Sequence, residues 1–263
     1  MGLQRVRSRE NKRLIGARKV RDGKDRDLVF IEGRRLVGEA LSSGIQIVEC
    51  FIVEGFSDQE LLASIQKLNI DIVELPPTLF RSLAATDQPQ GIILLADRPV
   101  GSLKITNWRR YRVPLYLYLS EVSNPSNLGA ILRTVEAAGA AGVFTSMNSA
   151  DAFSPKSIRA SMGAAFRVPV SPESNIEGVV LSARAAGVKC LALDAAADKS
   201  YLDVDWKKPH VLICGSEAHG LTEREFDLVD ATVSIPMEPP VESLNLAVAA
   251  GIILFEARRR NAG

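Results

Sequence analysis

Residues 114–122, PLYLYLSEV, are apolar at almost every position and lack the alternation of a strand with one wet face. Such a strand has to be covered on both sides, which is the situation inside a parallel sheet flanked by helices. The sequence that follows supplies the cover. Helical patterns at 127–139, 155–162, 175–187, 222–230 and 243–260 alternate with the strand runs GVFTSM, RVPV, VKCLALD, HVLICG and ATVSIPM. This alternation predicts a largely parallel, doubly wound sheet. Ligands of such sheets bind beyond the carboxyl ends of the strands. The loops at those ends are therefore where function is to be sought.

The front half also alternates, on a smaller scale. LVFIEG (28–33) reads as a strand and RRLVGEALSSG (34–44) as a helix ended by Gly44. A strand over 45–54 leads to a helix over 57–68, with Ser57 as N-cap and Glu60 completing a capping box. IDIVELP, the proline-opened helix PTLFRSLA and GIILLADRP (91–99) complete an α/β unit of roughly 100 residues. The domain reading is thus 1–98, a linker over 99–113, whose RRYR cluster has no apolar period, and 114–263.

Net charge is +1, but it is unevenly spread. Residues 1–26 hold ten Lys and Arg against three acids, a local +7 that leaves −6 on the rest. A basic segment on a mildly acidic body attracts nucleic-acid phosphates. The competing reading is a helix whose Val6, Leu14, Ile15 and Val20 dock on a core, and the sequence supports the two about equally. No stretch approaches the ~20 uncharged apolar residues of a membrane span. The N-terminus also lacks the apolar core of a signal peptide. Cys50, Cys190 and Cys214 are far apart, with Cys190 and Cys214 inside apolar runs. They read as buried strand residues in a protein of the reducing cytoplasm. No clustered His, Cys and Asp suggests a metal.

Three loops at predicted strand ends stand out. In the first, Glu121–Thr134, a polar turn opens a helix near Asn127, with Arg133 six residues on. Taken alone, Asn127 reads as an N-cap and Arg133 as a surface residue. The second is Gly215-Ser216-Glu217-Ala218-His219-Gly220, whose glycines allow backbone to approach a ligand. His219 and, still less, His210 are weak candidates for a base. In the third, Ser234-Ile235-Pro236-Met237 leads to Glu242-Ser243-Leu244-Asn245 and a helix thinned by Ala247, Ala249, Ala250 and Gly251. Helix starts present free N–H groups, and a thin helix packs closely. No Gly-x-Gly-x-x-Gly follows an early strand, which argues against a nicotinamide dehydrogenase.

In this order the three loops resemble the signature motifs of the SpoU (TrmH) family of SPOUT RNA methyltransferases. Pro155–Ala164 is similar to that family's stretch between motifs. The front half, through Phe30-Ile31-Glu32-Gly33-Arg34-Arg35-Leu36, resembles the L30e-like RNA-binding domain of ribosomal-RNA members. The resemblance implies a SPOUT domain with a C-terminal trefoil knot, a feature no periodicity reveals. It implies S-adenosylmethionine (SAM) bound bent in the knot against Gly215, Ile235 and Leu244, with Met237 and Asn245 beside it. It further implies 2'-O-methylation of an RNA ribose by a homodimer whose acceptor site both subunits build, with ribosomal RNA favoured by the L30e-like front half. The alternatives are a tRNA 2'-O-methyltransferase on the same scaffold and a catalytically silent RNA-binding or ribosome-assembly protein, against which the intact Asn127 and Arg133 speak. On the methyltransferase reading Arg133 and Asn127 carry catalysis with Glu217, Ser243 and Asn245. A guanidinium is a poor proton acceptor, so Arg133 would bind the acceptor's phosphate and stabilise alkoxide charge. Position 247 is Ala where the family often has Ser, and Glu121 and Asn124 stand where Asp is common.

Overall fold

The structure, a computed structural model, describes residues 3–99, 103–216 and 219–262, with Asn107 described by its backbone alone. Two compact units divide the chain: Met1–Val100 with Phe153–Phe166, and Gly101–Ala152 with Arg167–Gly263.

The first unit is built on a mixed five-stranded sheet. Its elements are β1 (Leu3–Arg5), α1 (Lys12–Arg21), β2 (Leu28–Glu32), α2 (Arg34–Ser43), β3 (Ile47–Val53), α3 (Gln59–Gln66), β4 (Asp71–Leu75), α4 (Pro77–Leu83) and β5 (Ile92–Asp97). Strand order is β1-β4-β3-β5-β2, with β5 antiparallel to both β3 and β2 and the other pairs parallel. Alternate residues of a strand face opposite sides. Phe30, Phe51, Val73, Ile93 and Leu95 accordingly share one core with Leu14, Ala17 and Val20 of α1 and with Leu79, Phe80 and Leu83 of α4. The basic N-terminal segment is therefore docked, but Ile15 is 42% exposed and takes no part, contrary to the sequence reading. A second correction falls at α3. Asp58, not Ser57, is the N-cap, accepting from the Leu61 N–H at 3.1 Å, so the expected Ser57–Glu60 box does not form.

The second unit carries a wholly parallel six-stranded sheet. It opens with β6 (Val113–Leu119), α5 (Pro125–Ala138) and β7 (Ala140–Thr145). The next helix, α6 (Pro155–Ser161), belongs with the first unit, against β2. There Arg98 lies 4.7 Å from the Phe153 ring centroid. A Cβ on Gly163 (φ +85°) would come within 2.7 Å of Glu39 Cβ. The chain then returns through β8 (Val170–Ser171), α7 (Ile176–Ala185), β9 (Lys189–Leu193), β10 (His210–Cys214), α8 (Glu223–Leu228), β11 (Ala231–Val233) and α9 (Leu246–Arg260). Strand order is β11-β9-β10-β6-β7-β8. All seven residues of β6 are buried, as its unbroken apolar run requires.

One face of this sheet packs Tyr116, Tyr118, Phe144, Cys190 and Val211 against Val179, Val180 and Ala183 of α7. Helices α5 and α9 pack on each other, α5 also against β7 and α9 against β6. Arg258 donates from Nη1 to the Ala137 and Ala138 carbonyls at 3.1 and 3.2 Å, satisfying acceptors that the end of α5 leaves open. The expected linker is not a free tether. Residues 105–110 form a 3₁₀ helix, and Ile105, Leu103, Trp108 and Tyr111 pack on the core, where Tyr116 Oη donates to the Ile105 carbonyl at 3.1 Å.

Candidate active site

The carboxyl ends of β6, β9, β10 and β11 surround a cavity of about 700 Å³. Each wall follows from local sequence. After β6, Asn124 caps α5 through its carboxamide oxygen, which accepts from the Ser126 N–H at 2.9 Å, with Pro125 at the first helical position. Asn127 is therefore not the cap but lies in the first turn, where it lines the cavity. Just before, Glu121 sits at φ +50°. This is uncommon for a residue with a side chain, and its N–H donates to Ser146 Oγ at 2.8 Å.

After β10 the chain doubles back tightly. Ser216 and Gly220 exchange both backbone hydrogen bonds, at 2.9 and 3.0 Å. A Cβ at position 215 would lie 2.2 Å from the Gly220 carbonyl carbon, so only glycine fits. Glu217 and Ala218 lie outside the described residues. Beyond the loop, Thr222 and Glu225 form a capping box at the start of α8. Glu225 does more than cap: its Oε1 accepts from Ser120 Oγ at 2.7 Å, and Ser120 is buried at the end of β6. Burial works against the Glu225 charge, but hydrogen bonds from Thr222 and Ser120 outweigh it and hold the carboxyl below its ordinary range. The loop after β10 is thereby tied to the loop that leads to Asn127.

After β11 the segment 234–245 is irregular, with a turn at 239–240 where the Val241 N–H donates to the Glu238 carbonyl at 3.1 Å, and α9 begins at Leu246 rather than at Ser243. Asn245 is its N-cap, its Oδ1 accepting from the N–H groups of Ala247 and Val248 at 3.0 and 3.4 Å. The Nδ2 of Asn245 donates to Asn127 Oδ1 at 3.3 Å.

Of the residues singled out in the sequence, Asn127, Gly215, Ile235, Met237, Ser243, Leu244 and Asn245 all line this one cavity. Arg133 does not line it. It is exposed, and among the described residues it has no side-chain partner. His219 is exposed at the rim, whereas His210 is buried in β10 with its Nδ1 2.8 Å from the Lys208 carbonyl. The sequence reading missed Leu193, Asp194 and Ala195 at the end of β9 and Phe226 on α8. The first three could have been found, since β9 ends at the same edge of the sheet as β10. Burial pushes the Cys214 thiol up to about 12, as it does Cys50 and Cys190, so Cys214 serves as an apolar wall and not a nucleophile.

The cavity suits SAM. Its volume falls in the range of small-molecule sites. Leu193, Leu221, Phe226 and Leu246 offer apolar surface for a flat base, and the missing Cβ at 215 leaves backbone at hand for its polar edge. Asp194 places a carboxylate on a wall that would face a cationic ligand.

The chain thus combines a parallel α/β domain that has a small-molecule cavity at its strand ends with a smaller mixed-sheet unit, a two-domain α/β protein with a ligand site. Comparison with known proteins makes this specific. Residues 114–255 match the model of the SpoU rRNA methylase family, and residues 30–99 match the substrate-binding domain of RNA 2'-O ribose methyltransferases. The chain belongs to the SpoU family: it is an RNA methyltransferase that uses SAM. A Mycolicibacterium vanbaalenii protein described as an uncharacterized tRNA/rRNA methyltransferase is 34% identical over 91% of this chain and 79% of its own length. The structure of an AdoMet-bound rRNA methyltransferase from Sinorhizobium meliloti superposes with a TM-score of 0.84 at 30% identity, covering 98% of both chains. A structure described by 2-OH methylation of C/U34 on tRNA reaches a TM-score of 0.53 at 30% identity, covering 58% of this chain and 99% of its own.

Proposed function

We propose that this enzyme methylates a ribose 2'-hydroxyl of large-subunit ribosomal RNA, in the cytoplasm, as a homodimer. One observation carries the choice of RNA. The likeness to the rRNA methyltransferase runs through 98% of the chain, whereas the likeness to the protein described by tRNA methylation runs through 58%. The unit that carries the substrate-binding match is thus part of the first likeness, and it is the part of the molecule available to select a substrate.

SAM, when bound, would supply a methyl group on a positively charged sulfur; its transfer to the 2'-oxygen would leave the neutral thioether S-adenosylhomocysteine and pass the hydroxyl proton to solvent. This chain's residues align the partners and stabilise charge. Gly215, Ile235 and Leu244 hold the cofactor mainly through backbone groups, with Met237 beside them. The family's knot belongs where residues 234–245 pass the loop after β10. Asn127, oriented by Asn245, presents its carboxamide to the ribose, and Ser243 borders the same opening.

Arg133 binds the acceptor's phosphate and stabilises negative charge growing on the 2'-oxygen. Its place outside its own cavity fits an acceptor site shared between subunits. Helix α9 supports the same reading, since Val248 is 51% and Phe255 49% exposed, spaced seven residues apart on one face with half-buried Ile252 between them. An apolar stripe of this kind belongs against a second copy. V248D/F255D should sediment as a monomer, and a variant still dimeric would remove the stripe from the interface.

The decisive experiment treats protein-free ribosomal RNA and bulk tRNA with the purified enzyme and SAM, then maps ribose methylation. A single new site in the large-subunit RNA is expected. Methylation of tRNA alone would reverse the choice of substrate.

A further inference from the structure

Residues 1–29 lie outside both family matches, which begin at residues 30 and 114. The structure shows what this segment does with its charge. Arg5 pairs with Glu74 at 2.7 Å, and Arg13 bridges Glu49 and Asp71. Arg18 reaches Ser82 Oγ, while Arg21 donates to the Ser82 and Leu83 carbonyls at the end of α4. These four arginines clamp β1 and α1 to the sheet and to α4. Their charge is spent on structure.

Four of the six other cations lie on the solvent side, on α1 or on the chain that leads into it. Arg7, Arg9, Lys12 and Lys19 are exposed, and among the described residues none makes an ion pair or a side-chain hydrogen bond. Along α1 the buried positions are Leu14, Ala17 and Val20. Lys12, Ile15 and Lys19 fall on the opposite stripe, at the three- and four-residue spacing of one helical face. The turn that carries Arg9 is fixed against the start of this helix, because Arg18 Nη1 donates to the Arg9 carbonyl at 3.0 Å. On the adjoining α4, Arg81 is exposed as well. Of the nearby acids, Asp22 is engaged by Arg21 at 2.7 Å, and exposed Glu10, between Arg9 and Lys12, offsets one of the four charges and leaves the face positive.

We propose that the outward face of α1, with Arg7, Arg9, Lys12 and Lys19, is a phosphate-binding surface for the RNA backbone, added to the substrate-binding unit ahead of the part its family model covers. It rests on the reading that RNA is the substrate and deepens it. Long, flexible, unpaired cations on a helix and on the chain that leads into it suit sequence-independent phosphate contacts, which raise affinity and orient the RNA without selecting a base. The folded core does not need them.

The test replaces the four with glutamine, R7Q/R9Q/K12Q/K19Q, in the full chain. Binding to protein-free large-subunit ribosomal RNA is measured from 50 to 200 mM salt, with SAM affinity and thermal midpoint alongside. RNA affinity at 50 mM is expected to fall about tenfold or more, and the slope of log affinity against log salt to lose about 2 to 3. SAM affinity should not move. K207Q/K208Q, on exposed lysines of the other unit, is the charge control and should leave the slope nearly intact. If the quadruple variant loses its fold, K12Q/K19Q alone should still shift the slope by about 1 or more. An unchanged slope and RNA affinity in a folded variant would overturn the proposal, as would an equal effect from the control. Failure of the methylation reading is a separate result: the wild type would then bind RNA through this face yet methylate no ribose.

Discussion

The carboxamide of Asn245 both caps α9 and donates to Asn127 Oδ1 at 3.3 Å, so the end of one motif holds the beginning of another 118 residues earlier. The two jobs can be separated. Asn245→Ser keeps a capping oxygen and loses the amide donor. It should retain a thermal midpoint close to wild type while kcat falls about tenfold, the order expected for one lost orienting hydrogen bond. Asn245→Ala loses both and should cost about 1 kcal/mol of stability in addition. Equal turnover in the serine variant and the wild type would show that Asn127 needs no orientation.

The Ser120–Glu225 contact joins the loops after β6 and β10. Ser120→Ala and Glu225→Gln should each weaken SAM binding several-fold, and the double variant should be no worse than the poorer single, because both break one link. Thr222→Ala, which damages the capping box but spares that link, should lower stability more than affinity. Additive losses in the double variant would mean that the two residues act independently.

Gly215→Ala would press a methyl group into the Gly220 backbone. Backbone on both sides leaves nothing flexible to yield. Loss of detectable SAM binding by calorimetry is expected in a protein whose far-UV circular dichroism is otherwise native. Wild-type affinity would show that the loop opens freely.

Arg133→Ala should abolish methyl transfer while SAM affinity stays within about twofold, since the side chain does not line its own cavity. Mixing this variant with a SAM-binding-dead Gly215→Ala partner should restore part of the activity if each active site borrows Arg133 from the other subunit. Normal turnover in Arg133→Ala alone would remove the residue from the reaction.

His210, buried 5.4 Å from the Trp206 ring centroid, carries a pH dependence unrelated to catalysis. Burial depresses its imidazole below the ordinary value, against the pull of the Lys208 carbonyl. The unfolded chain, titrating near ~6.5, therefore binds the proton more readily than the folded one. The stability this contributes is present above that value and is lost as pH falls through the folded one. Urea midpoints at pH 7.5, 6.5 and 5.5 should decline less steeply in His210→Gln than in wild type; parallel declines would place the effect elsewhere.

Much of the cavity was legible because strand ends are. Gly215 and Ile235 stand at the ends of the strand runs HVLICG and ATVSIPM, and runs of that type stop at one edge of a parallel sheet. Leu244, well past β11, was reached only through the family resemblance. Helix starts were less legible. Asn124 caps where the start was read near Asn127, Asn245 where it was read at Ser243, and Asp58 where Ser57 was favoured. In each case capable residues stood a few positions apart, and backbone dihedrals chose between them. The packing of the stretch before β6 was not legible because Ile105 and Trp108 follow the tighter turn of a 3₁₀ helix, which no α or β period detects, and Leu103 and Tyr111 join the core from the irregular chain on either side of it. The location of Arg133 outside the cavity could not be read at all, since it depends on how α5 is rotated on the sheet.

Because 153–166 leaves one body to complete the other, the two halves of this enzyme cannot be traded as cassettes cut at residue 98. A chimera given a foreign front half would keep a native helix shaped for Glu39 and Arg98, with Phe153 and Ile158 laid against strangers. A change of target RNA made by replacing that front half would have to recast residues 153–166 in step with it.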